Sequence, residues 1–383
     1  MLRVLHVASF NGNIGDNANH LGFRPWFAAL VDNDIAWSDF EIRDVYRGKR
    51  GFDEAFAVEA NEHDLVVVGG GNYFELWVDR SPTGTSFSIT NEALRALKVP
   101  VFFNALGVDA GQGVSEKVRG EFTRFMRHVL ASELFFVSVR NDGSANALSS
   151  NTTGLALEKV VKLPDAGFFA RFDGAPGSIE GPGPVIGINL AGDMLEQRFP
   201  GGGRHTYTSF LDEFALFAAD IQARAQAARF VFFPHIFRDL KVYSDLLSAL
   251  PDEIRRETCR VAPYDCGLRA AEEVFSEYKF CDVVLGMRFH ANVVAIGAGI
   301  PAVGLVCYDQ IKLLYEEMGR PDLCVNVQQP GFAADLTRLT TSIVAEPSAS
   351  RKVSAGLLAN VREMREQAAV PLRAWLRQHH LAT

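Results

Sequence analysis

The chain has 383 residues, and its 38 lysines and arginines against 46 aspartates and glutamates give a formal net charge of −8 at pH 7. That length is about twice that of a usual domain and predicts two domains. The negative charge argues against general binding of a nucleic-acid backbone. A composition of 48% hydrophobic and 22% charged residues excludes wholesale disorder, collagen and coiled-coil arrays.

Short apolar runs alternate with segments of helical spacing through the first half. The runs are residues 4–10, 65–68, 101–106 and 134–139, and residues 114–130 have the spacing of a helix. This alternation predicts an α/β domain whose parallel sheet is covered on both faces.

A segment rich in glycine and proline, 170–184, marks the predicted domain boundary. The alternation then resumes with a strand at 185–190, a helix at 210–228 and strands at 230–233, 283–285 and 303–306. We therefore expect two doubly wound domains facing a cleft, with ligands at the carboxyl ends of the strands. The predicted ranges are 1–172, 185–345 and a C-terminal segment 346–383, an amphipathic helix that packs on the body and breaks or kinks at Pro371.

The cysteines and the apolar stretches argue against disulfide-rich, zinc-stabilised and membrane-spanning proteins. No Cys-x-x-Cys pair occurs among the five cysteines, so neither a disulfide framework nor a structural zinc site is expected. The uncharged run 291–308 is divided by Gly297, Gly299 and Pro301, which predicts a buried helix, turn and strand rather than a transmembrane segment. Since no long apolar leader follows Met1, a cytoplasmic location is expected.

The turn Asn13-Ile14-Gly15-Asp16 follows the first predicted strand. Its glycine permits a tight turn, and Asp16 is placed to accept backbone N–H groups at the start of the next helix. A helix cap is the favoured reading of Asp16, and a catalytic base is the alternative.

A glycine-rich segment, Gly69-Gly70-Gly71-Asn72, follows the buried strand at 65–68. Such a segment lets a ligand approach closely and leaves N–H groups for an anion or a hydroxyl. It lacks the dinucleotide fingerprint, because aromatic residues and Glu75 follow it instead of a helix signal. Those aromatics suit either a sugar platform or, more often, the core.

The segment Gly286-Met287-Arg288-Phe289-His290 joins a predicted central strand to a helix of small residues. Exposed N–H groups and the helix dipole favour an anion at this point. Arg288 has the fork that binds carboxylate or phosphate, and a histidine such as His290 can transfer a proton near neutral pH. The competing interpretation is that local carboxylates or carbonyls hold both side chains.

Two more strand ends carry polar residues, His235 with Asp239 after 230–233, and Tyr308 with Lys312 after 303–306. His235 and Lys312 are candidates to add positive charge for a phosphate, although Lys312 also fits an exposed lysine on a helix. The segment around Arg140 and Asp142 is interpreted as a structural turn or a contact between domains.

Taken in order, these segments resemble the polysaccharide pyruvyl transferase family. The segments that carry the resemblance are Asn13 to Asp16, Gly69 to Asn72, Ser138-Val139-Arg140, Pro234-His235, Arg288-Phe289-His290, Gly299-Ile300-Pro301 and Tyr308 to Lys312. They span about residues 6 to 320. Two details depart from the family pattern: Phe289 replaces its leucine, and Lys312 lies one residue late.

The resemblance implies two Rossmann-like domains similar to GT-B glycosyltransferases, with phosphoenolpyruvate as donor and a sugar hydroxyl pair as acceptor. In the implied donor site, Arg288 binds the anion, His290 binds the donor and transfers a proton, and a second arginine comes from the loop 198–204. The implied donor-binding residues are Arg288, His290, His235, Lys312 and Arg204. Asp16 is the second catalytic candidate, as a base, and the implied acceptor-binding residues are Asn13, Gly70, Gly71, Asn72 and Glu75.

No cofactor or metal is required by that scheme. The family context implies a sugar or lipid-linked oligosaccharide acceptor in exopolysaccharide or cell-wall glycan assembly, no nucleic-acid partner, and a cytoplasmic protein whose peripheral attachment to the inner membrane face is left open. The oligomeric state is not predicted. A GT-B-type sugar-nucleotide glycosyltransferase is the alternative enzyme, since fold alone does not choose the donor. A non-catalytic glycan-binding protein is the alternative from another class.

Overall fold

The computed structural model describes residues 1–173, 181–200, 205–225 and 227–382. Within them the chain forms two compact units. The first unit contains residues 1–10 and 19–166 together with the chain from Val361 onward, and the second contains residues 11–18 and 167–360. Neither unit is continuous in sequence, because residues 11–18 contact the second unit and the end of the last helix packs in the first. The ranges 1–172, 185–345 and 346–383 remain a prediction of the domain limits.

The first unit is built on a parallel sheet of six strands in the order β2-β1-β3-β5-β7-β8. These strands are β1 (Leu2–Ala8), β2 (Ile35–Glu41), β3 (Leu65–Gly69), β5 (Val101–Leu106), β7 (Phe135–Val139) and β8 (Val161–Lys162). A separate parallel pair joins β4 (Phe74–Glu75) to β6 (Val108–Asp109). The four runs predicted as strands are β1, β3, β5 and β7, which are almost wholly buried.

Helices of the first half connect these strands. They are α1 (Ile14–Val31), α2 (Ile42–Tyr46), α3 (Glu54–Asn61), α4 (Asn91–Ala96), α5 (Glu116–Ala131) and α6 (Ser144–Ser150). The amphipathic pattern at 114–130 corresponds to α5, whose first turn is capped by the Ser115 side chain accepting the Val118 N–H. Its apolar face is buried against the sheet.

The second unit repeats this plan with the parallel order β11-β10-β9-β12-β13-β14. Its strands are β9 (Val185–Asn189), β10 (Arg229–Phe232), β11 (Cys259–Val261), β12 (Val283–Gly286), β13 (Ala302–Val306) and β14 (Cys324–Asn326). The helices that follow are α7 (Leu195–Arg198), α8 (Tyr207–Arg224), α9 (Asp239–Ala249), α10 (Asp252–Glu257), α11 (Leu268–Ser276), α12 (Phe289–Gly297), α13 (Asp309–Glu317) and α14 (Phe332–Ala345). Two parallel sheets of this kind confirm the predicted α/β class.

The sequence predicts a break or a kink at Pro371, and the break does not occur, because the last helix, α15 (Pro347–Gln378), runs through Pro371. Its final turns place Ala368, Leu372 and Leu376 in the core of the first unit, and Trp375 donates its indole N–H to the Glu133 carbonyl at 2.9 Å. This packing stabilises the helix across the position where proline removes one backbone hydrogen bond.

Both sheets have a point at which the chain changes its direction of winding. In the first sheet this point lies between β1 and β3, and in the second it lies between β9 and β12. The loops after neighbouring strands diverge there and leave a crevice at the carboxyl ends, which is where ligands bind in sheets of this type.

Candidate active site

The loops after β9, β10 and β12 bring a group of charged side chains together in the second unit. Asp193 follows β9, Asp239 follows β10, and Arg288 follows β12. Because β9 pairs with both β10 and β12, these loops are neighbours at the switch point of the sheet. We call Asp193, Arg198, Asp239 and Arg288 the arginine cluster.

Arg288 is held by two carboxylates. Its Nε donates to Asp239 Oδ2 at 2.9 Å, and its Nη2 donates to Asp239 Oδ1 at 2.5 Å and to Asp193 Oδ1 at 2.8 Å. Burial disfavours the charge, but the two carboxylates outweigh it and raise the pKa of Arg288 above its usual value. The guanidinium is therefore charged and oriented, with the Nε edge occupied by Asp239.

Asp239 anchors this arrangement. The residue is fully buried at the start of α9. Its carboxylate also accepts the backbone N–H groups of Gly192 and His235, both at 2.9 Å, and of Ile236 at 3.1 Å. Hydrogen bonds to so many fixed donors stabilise the ionised carboxylate away from water.

Arg198 supplies a second arginine. It contacts Asp193 through Nη2 at 3.3 Å and donates Nη1 to Cys307 Sγ at 3.1 Å, while its guanidinium carbon lies 4.8 Å from the centre of the Tyr308 ring. The sequence placed a second arginine in the loop 198–204 and named Arg204, which lies outside the described residues. Arg198, at the other end of that range, is the arginine that contacts Asp193.

His290 lies in the first turn of α12 and is 7% exposed. The preceding Arg288 backbone N–H donates to Asn189 Oδ1 at 3.0 Å, which secures the start of the helix beside β9. The His290 ring lies directly against Gly15, where an added Cβ would be 2.6 Å from Nδ1.

His235 does not supply the predicted positive charge. It is fully buried, and its Nε2 lies 3.1 Å from the Tyr278 hydroxyl. Burial, Arg288 and His290 together hold the pKa of His235 well below its usual value, so the ring is neutral at neutral pH.

Lys312 lies on α13 with its side chain 58% exposed, and its ammonium is 3.6 Å from the Glu316 carboxylate one turn later. This is the arrangement of an exposed lysine on a helix, and it lends no support to a donor-binding role.

The turn at 13–16 belongs to the second unit. Asn13 Oδ1 accepts the Gly15 N–H at 3.0 Å, so Asn13 and not Asp16 caps α1. Asp16 lies in the first helical turn, and its Oδ1 accepts the Asn13 side-chain amide at 3.3 Å. The Ile14 N–H donates to the His235 carbonyl at 3.3 Å and ties the turn to the end of β10.

In the first unit the glycine-rich segment packs tightly. Gly70 has φ +87° and lies against the buried Asn19, whose Oδ1 would be 2.4 Å from an added Cβ. The Gly70 N–H points to the Asn104 carbonyl at 3.4 Å, so it is not left for a ligand as the sequence suggested. Gly71 lies against the Tyr73 ring. Tyr73 is 5% exposed and Phe74 is fully buried, so both belong to the core rather than to a sugar platform.

Glu75 faces a second carboxylate, Asp109, because the two residues are paired in register across β4 and β6. The Ser86 hydroxyl donates to Glu75, and the Asn72 side-chain amide donates to Asp109 Oδ2 at 3.2 Å. Burial and the neighbouring Asp109 raise the pKa of Glu75 to about 7, although Ser86 and Arg43 oppose the shift. We call Asn72, Glu75, Ser86 and Asp109 the carboxylate pair site.

Sequence reasoning singled out Asn72 and Glu75 but missed Ser86 and Asp109. Asp109 follows β5 in the pairing strand β6, and its position after a buried run was the available signal. Ser86 carries no recognisable pattern.

Arg140 is also buried, within 3.0 Å of Asp142 and 3.6 Å of Asp165. Both carboxylates belong to the same unit, which agrees with reading this segment as a structural turn.

Two kinds of feature are absent from the described residues. They contain no group of three or more histidine, cysteine, aspartate or glutamate side chains placed to hold a metal ion. Among the same residues, no helix combines the length and the apolar character that crossing a membrane requires.

A family model described as polysaccharide pyruvyl transferase matches residues 10–309 of the chain. No curated protein matches it significantly.

Solved structures share the fold at low sequence identity. The chain resembles a glycosyltransferase from Rickettsia africae, with 8% identity, 98% coverage of both chains and a TM-score of 0.59. UDP-GlcNAc 2-epimerase from Neisseria meningitidis, bound to UDP-GlcNAc, shares 13% identity over 98% of this chain and 100% of its own, with a TM-score of 0.54. Anabaena HepE, in complex with UDP and glucose, shares 10% identity over 98% and 100%, with a TM-score of 0.53. These likenesses show a fold similar to the GT-B glycosyltransferases and epimerases.

Proposed function

The chain belongs to the polysaccharide pyruvyl transferase family, and from that premise we propose that it transfers the three-carbon group of phosphoenolpyruvate to a hydroxyl pair of a sugar, as a ketal. The acceptor is a precursor of an exopolysaccharide or cell-wall glycan, either a sugar or a lipid-linked oligosaccharide. In the reaction both hydroxyl oxygens bond to the central carbon of the donor, the carbon–oxygen bond to phosphate breaks, and the methylene becomes a methyl group. One hydroxyl proton ends on that methyl group and the other on phosphate, so no oxidant or reductant is needed.

The observation that supports this proposal most strongly is the arginine cluster beside His290. Phosphoenolpyruvate carries a carboxylate and a phosphate, and two guanidinium groups with the N-terminus of α12 suit such a ligand. Within the described residues Arg288 makes its hydrogen bonds through Nε and Nη2, which leaves Nη1 for the donor.

His290 is proposed to protonate the donor methylene. It follows Arg288 by two residues and lies in the same first helical turn as the anion site. A histidine near neutral pH suits proton transfer to carbon.

The carboxylate pair site is proposed to take the acceptor, with Glu75 as the base that removes a hydroxyl proton. A carboxyl group whose pKa is about 7 binds a proton readily at neutral pH and still ionises there. Asn72 and Asp109 are positioned to orient hydroxyl groups. Asp16, the base predicted from the sequence, is the competing assignment.

The proposed function is tested by incubating the protein with phosphoenolpyruvate and a panel of glycan precursors, both free and lipid-linked. We expect phosphate release that depends on one acceptor and a product carrying the pyruvyl ketal by mass spectrometry. Failure of every acceptor, together with failure of phosphoenolpyruvate to bind, would contradict the proposal.

The role of Glu75 predicts a pH dependence. Because the base must be ionised, kcat/KM for the acceptor, measured with saturating donor, is expected to rise with pH on the acidic limb of the profile. The rise should level off above about pH 7. Glu75→Gln is expected to remove that limb and lower turnover by about 10²-fold or more. The raised pKa of Glu75 means that the folded chain holds the proton more tightly than the unfolded chain does. The stability that this proton contributes is lost as the pH rises to about 7, and the ionised carboxylate then opposes folding. Above pH 7, Glu75→Gln is therefore expected to be at least as stable as the wild type. A variant with the wild-type pH profile would transfer the role to Asp16.

Removing the charge of Asp193 is expected to strengthen the binding of phosphoenolpyruvate. The Asp193 side chain is 26% exposed and contacts both Arg198 and Arg288, whereas the Asp239 side chain is inaccessible. A donor anion that binds Nη1 of Arg288 is repelled by the Asp193 carboxylate, which contacts Nη2 of the same guanidinium. Asp193→Asn is therefore expected to tighten phosphoenolpyruvate binding by about tenfold, within the range of a charge-assisted contact. Calorimetric titration checks this expectation, and weaker binding would mark Asp193 as a positioning residue for the arginines.

The fold favours one competing function, a sugar-nucleotide glycosyltransferase. The structural neighbours include a glycosyltransferase and a protein in complex with UDP and glucose. Fold alone does not choose the donor, so direct comparison of donor binding separates the two functions.

A further inference from the structure

Gly15 and His290 are in closer contact than any side chain at position 15 would allow. An added Cβ would lie 2.6 Å from His290 Nδ1, 2.7 Å from its Cβ and 2.8 Å from its Cγ. The Gly15 backbone lies outside the left-handed region, so another residue could adopt its conformation. Glycine is therefore required at position 15 because there is no room for a side chain beside the imidazole, and not because of its backbone conformation.

Hydrogen bonds also hold the turn that carries Gly15 in place. Asn13 caps the helix through the Gly15 N–H itself, and the Ile14 N–H is bonded to the His235 carbonyl. The His235 N–H in turn donates to Asp239, the carboxylate that orients Arg288. A chain of hydrogen bonds thus runs from the glycine turn to the arginine cluster, all within the second unit.

We propose that the turn 13–16 is the positioning element of His290 and that Gly15 sets the place of its imidazole ring. This inference rests on the proposed function in that it takes His290 as the group that moves a proton. It reassigns Asn13 from the acceptor site to the support of His290. Because proton transfer depends on alignment to a fraction of an ångström, a methyl group that pushes the ring aside reduces turnover without removing any charged group.

The test compares two glycine-to-alanine variants of the full chain. Gly15→Ala adds a methyl group against the ring, whereas Gly356→Ala adds one on α15 of the same unit, where nothing lies within 4 Å. We expect Gly15→Ala to lower kcat by about 100-fold with little change in the KM for phosphoenolpyruvate. Gly356→Ala is expected to behave as wild type. Equal activity of the two variants would overturn the inference.

A double-mutant cycle separates positioning from general damage. In a His290→Asn background Gly15→Ala is expected to have no further effect on kcat, because the ring it displaces is already gone. The same loss in both backgrounds would overturn the inference.

One readout does not depend on activity. In proton–carbon NMR spectra of the imidazoles, the His290 signal is identified by its loss in His290→Asn. We expect the chemical shift of this signal to move in Gly15→Ala and to stay unchanged in Gly356→Ala. If the wild-type chain makes no pyruvylated product but the signal moves in Gly15→Ala, the proposed function fails and the positioning of His290 by Gly15 stands. If the signal does not move, the inference is overturned and the proposed function is unaffected. Should Gly15→Ala not fold, Asn13→Ala replaces it, with the cap-retaining Asn13→Ser as the variant expected to restore the signal.

Discussion

Replacing His290 by asparagine is expected to lower kcat by about 10²- to 10⁴-fold, the usual contribution of a positioned acid or base. Asparagine retains a hydrogen-bonding side chain in the first turn of α12 but cannot deliver a proton to carbon. Because Arg288 and Arg198 stay in place, the dissociation constant of phosphoenolpyruvate should change little. Single-turnover kinetics and calorimetric titration measure the two quantities separately.

The matched control for this variant is His128→Asn, which changes an exposed histidine on α5 of the first unit. It should leave both quantities unchanged. An equal loss of affinity and turnover in His290→Asn would mark His290 as a binding residue, and unchanged turnover would exclude it from proton transfer.

Replacing Asp239 by alanine is expected to lower the free energy of unfolding by about 3–5 kcal/mol, the cost of breaking a buried ion pair from one side. The variant leaves the Arg288 charge uncompensated and removes the acceptor of three backbone N–H groups. It should also lose phosphoenolpyruvate binding, since the orientation of Arg288 depends on this carboxylate. Urea unfolding monitored by circular dichroism measures the first effect.

Asp335→Ala provides the comparison, because Asp335 forms an exposed pair with Arg338 in the same unit. Its effect should stay within about 0.5 kcal/mol, as exposed pairs contribute little. Substituting leucine for Asp239 and methionine for Arg288 together removes both charges but leaves three backbone N–H groups without their acceptor, so it is expected to recover only part of the stability and no donor binding. If Asp239→Ala unfolds like Asp335→Ala, the anchoring role of Asp239 is wrong.

The parallel sheets could be predicted from the sequence because their central strands are continuous apolar runs. The edge strand β2 was missed, since it is half exposed and carries Ser38, Asp39 and Glu41 among its apolar residues. The strands β8, β11 and β14 have only two or three residues each, too few for any periodicity.

The candidate site was predictable only where a residue follows a strand directly. Arg288 and His290 met that condition, and so did Glu75 through the glycine segment. The carboxylates that hold Arg288 come from loops 49 and 95 residues away in the chain, and local spacing cannot report such contacts. Local spacing also cannot report the contact between the turn 13–16 and His290, because Gly15 and His290 lie far apart in the chain.

The most direct test of the account is the binding of two donor classes to the second unit. Thermal unfolding of the full chain is measured with phosphoenolpyruvate and, in parallel, with UDP-sugars, because a ligand that binds only the folded state raises the midpoint. We predict a higher midpoint with phosphoenolpyruvate, no shift with the UDP-sugars, and loss of the shift in Arg288→Lys, which keeps the charge but not the planar fork. A shift with a UDP-sugar alone would contradict the account and favour a glycosyltransferase.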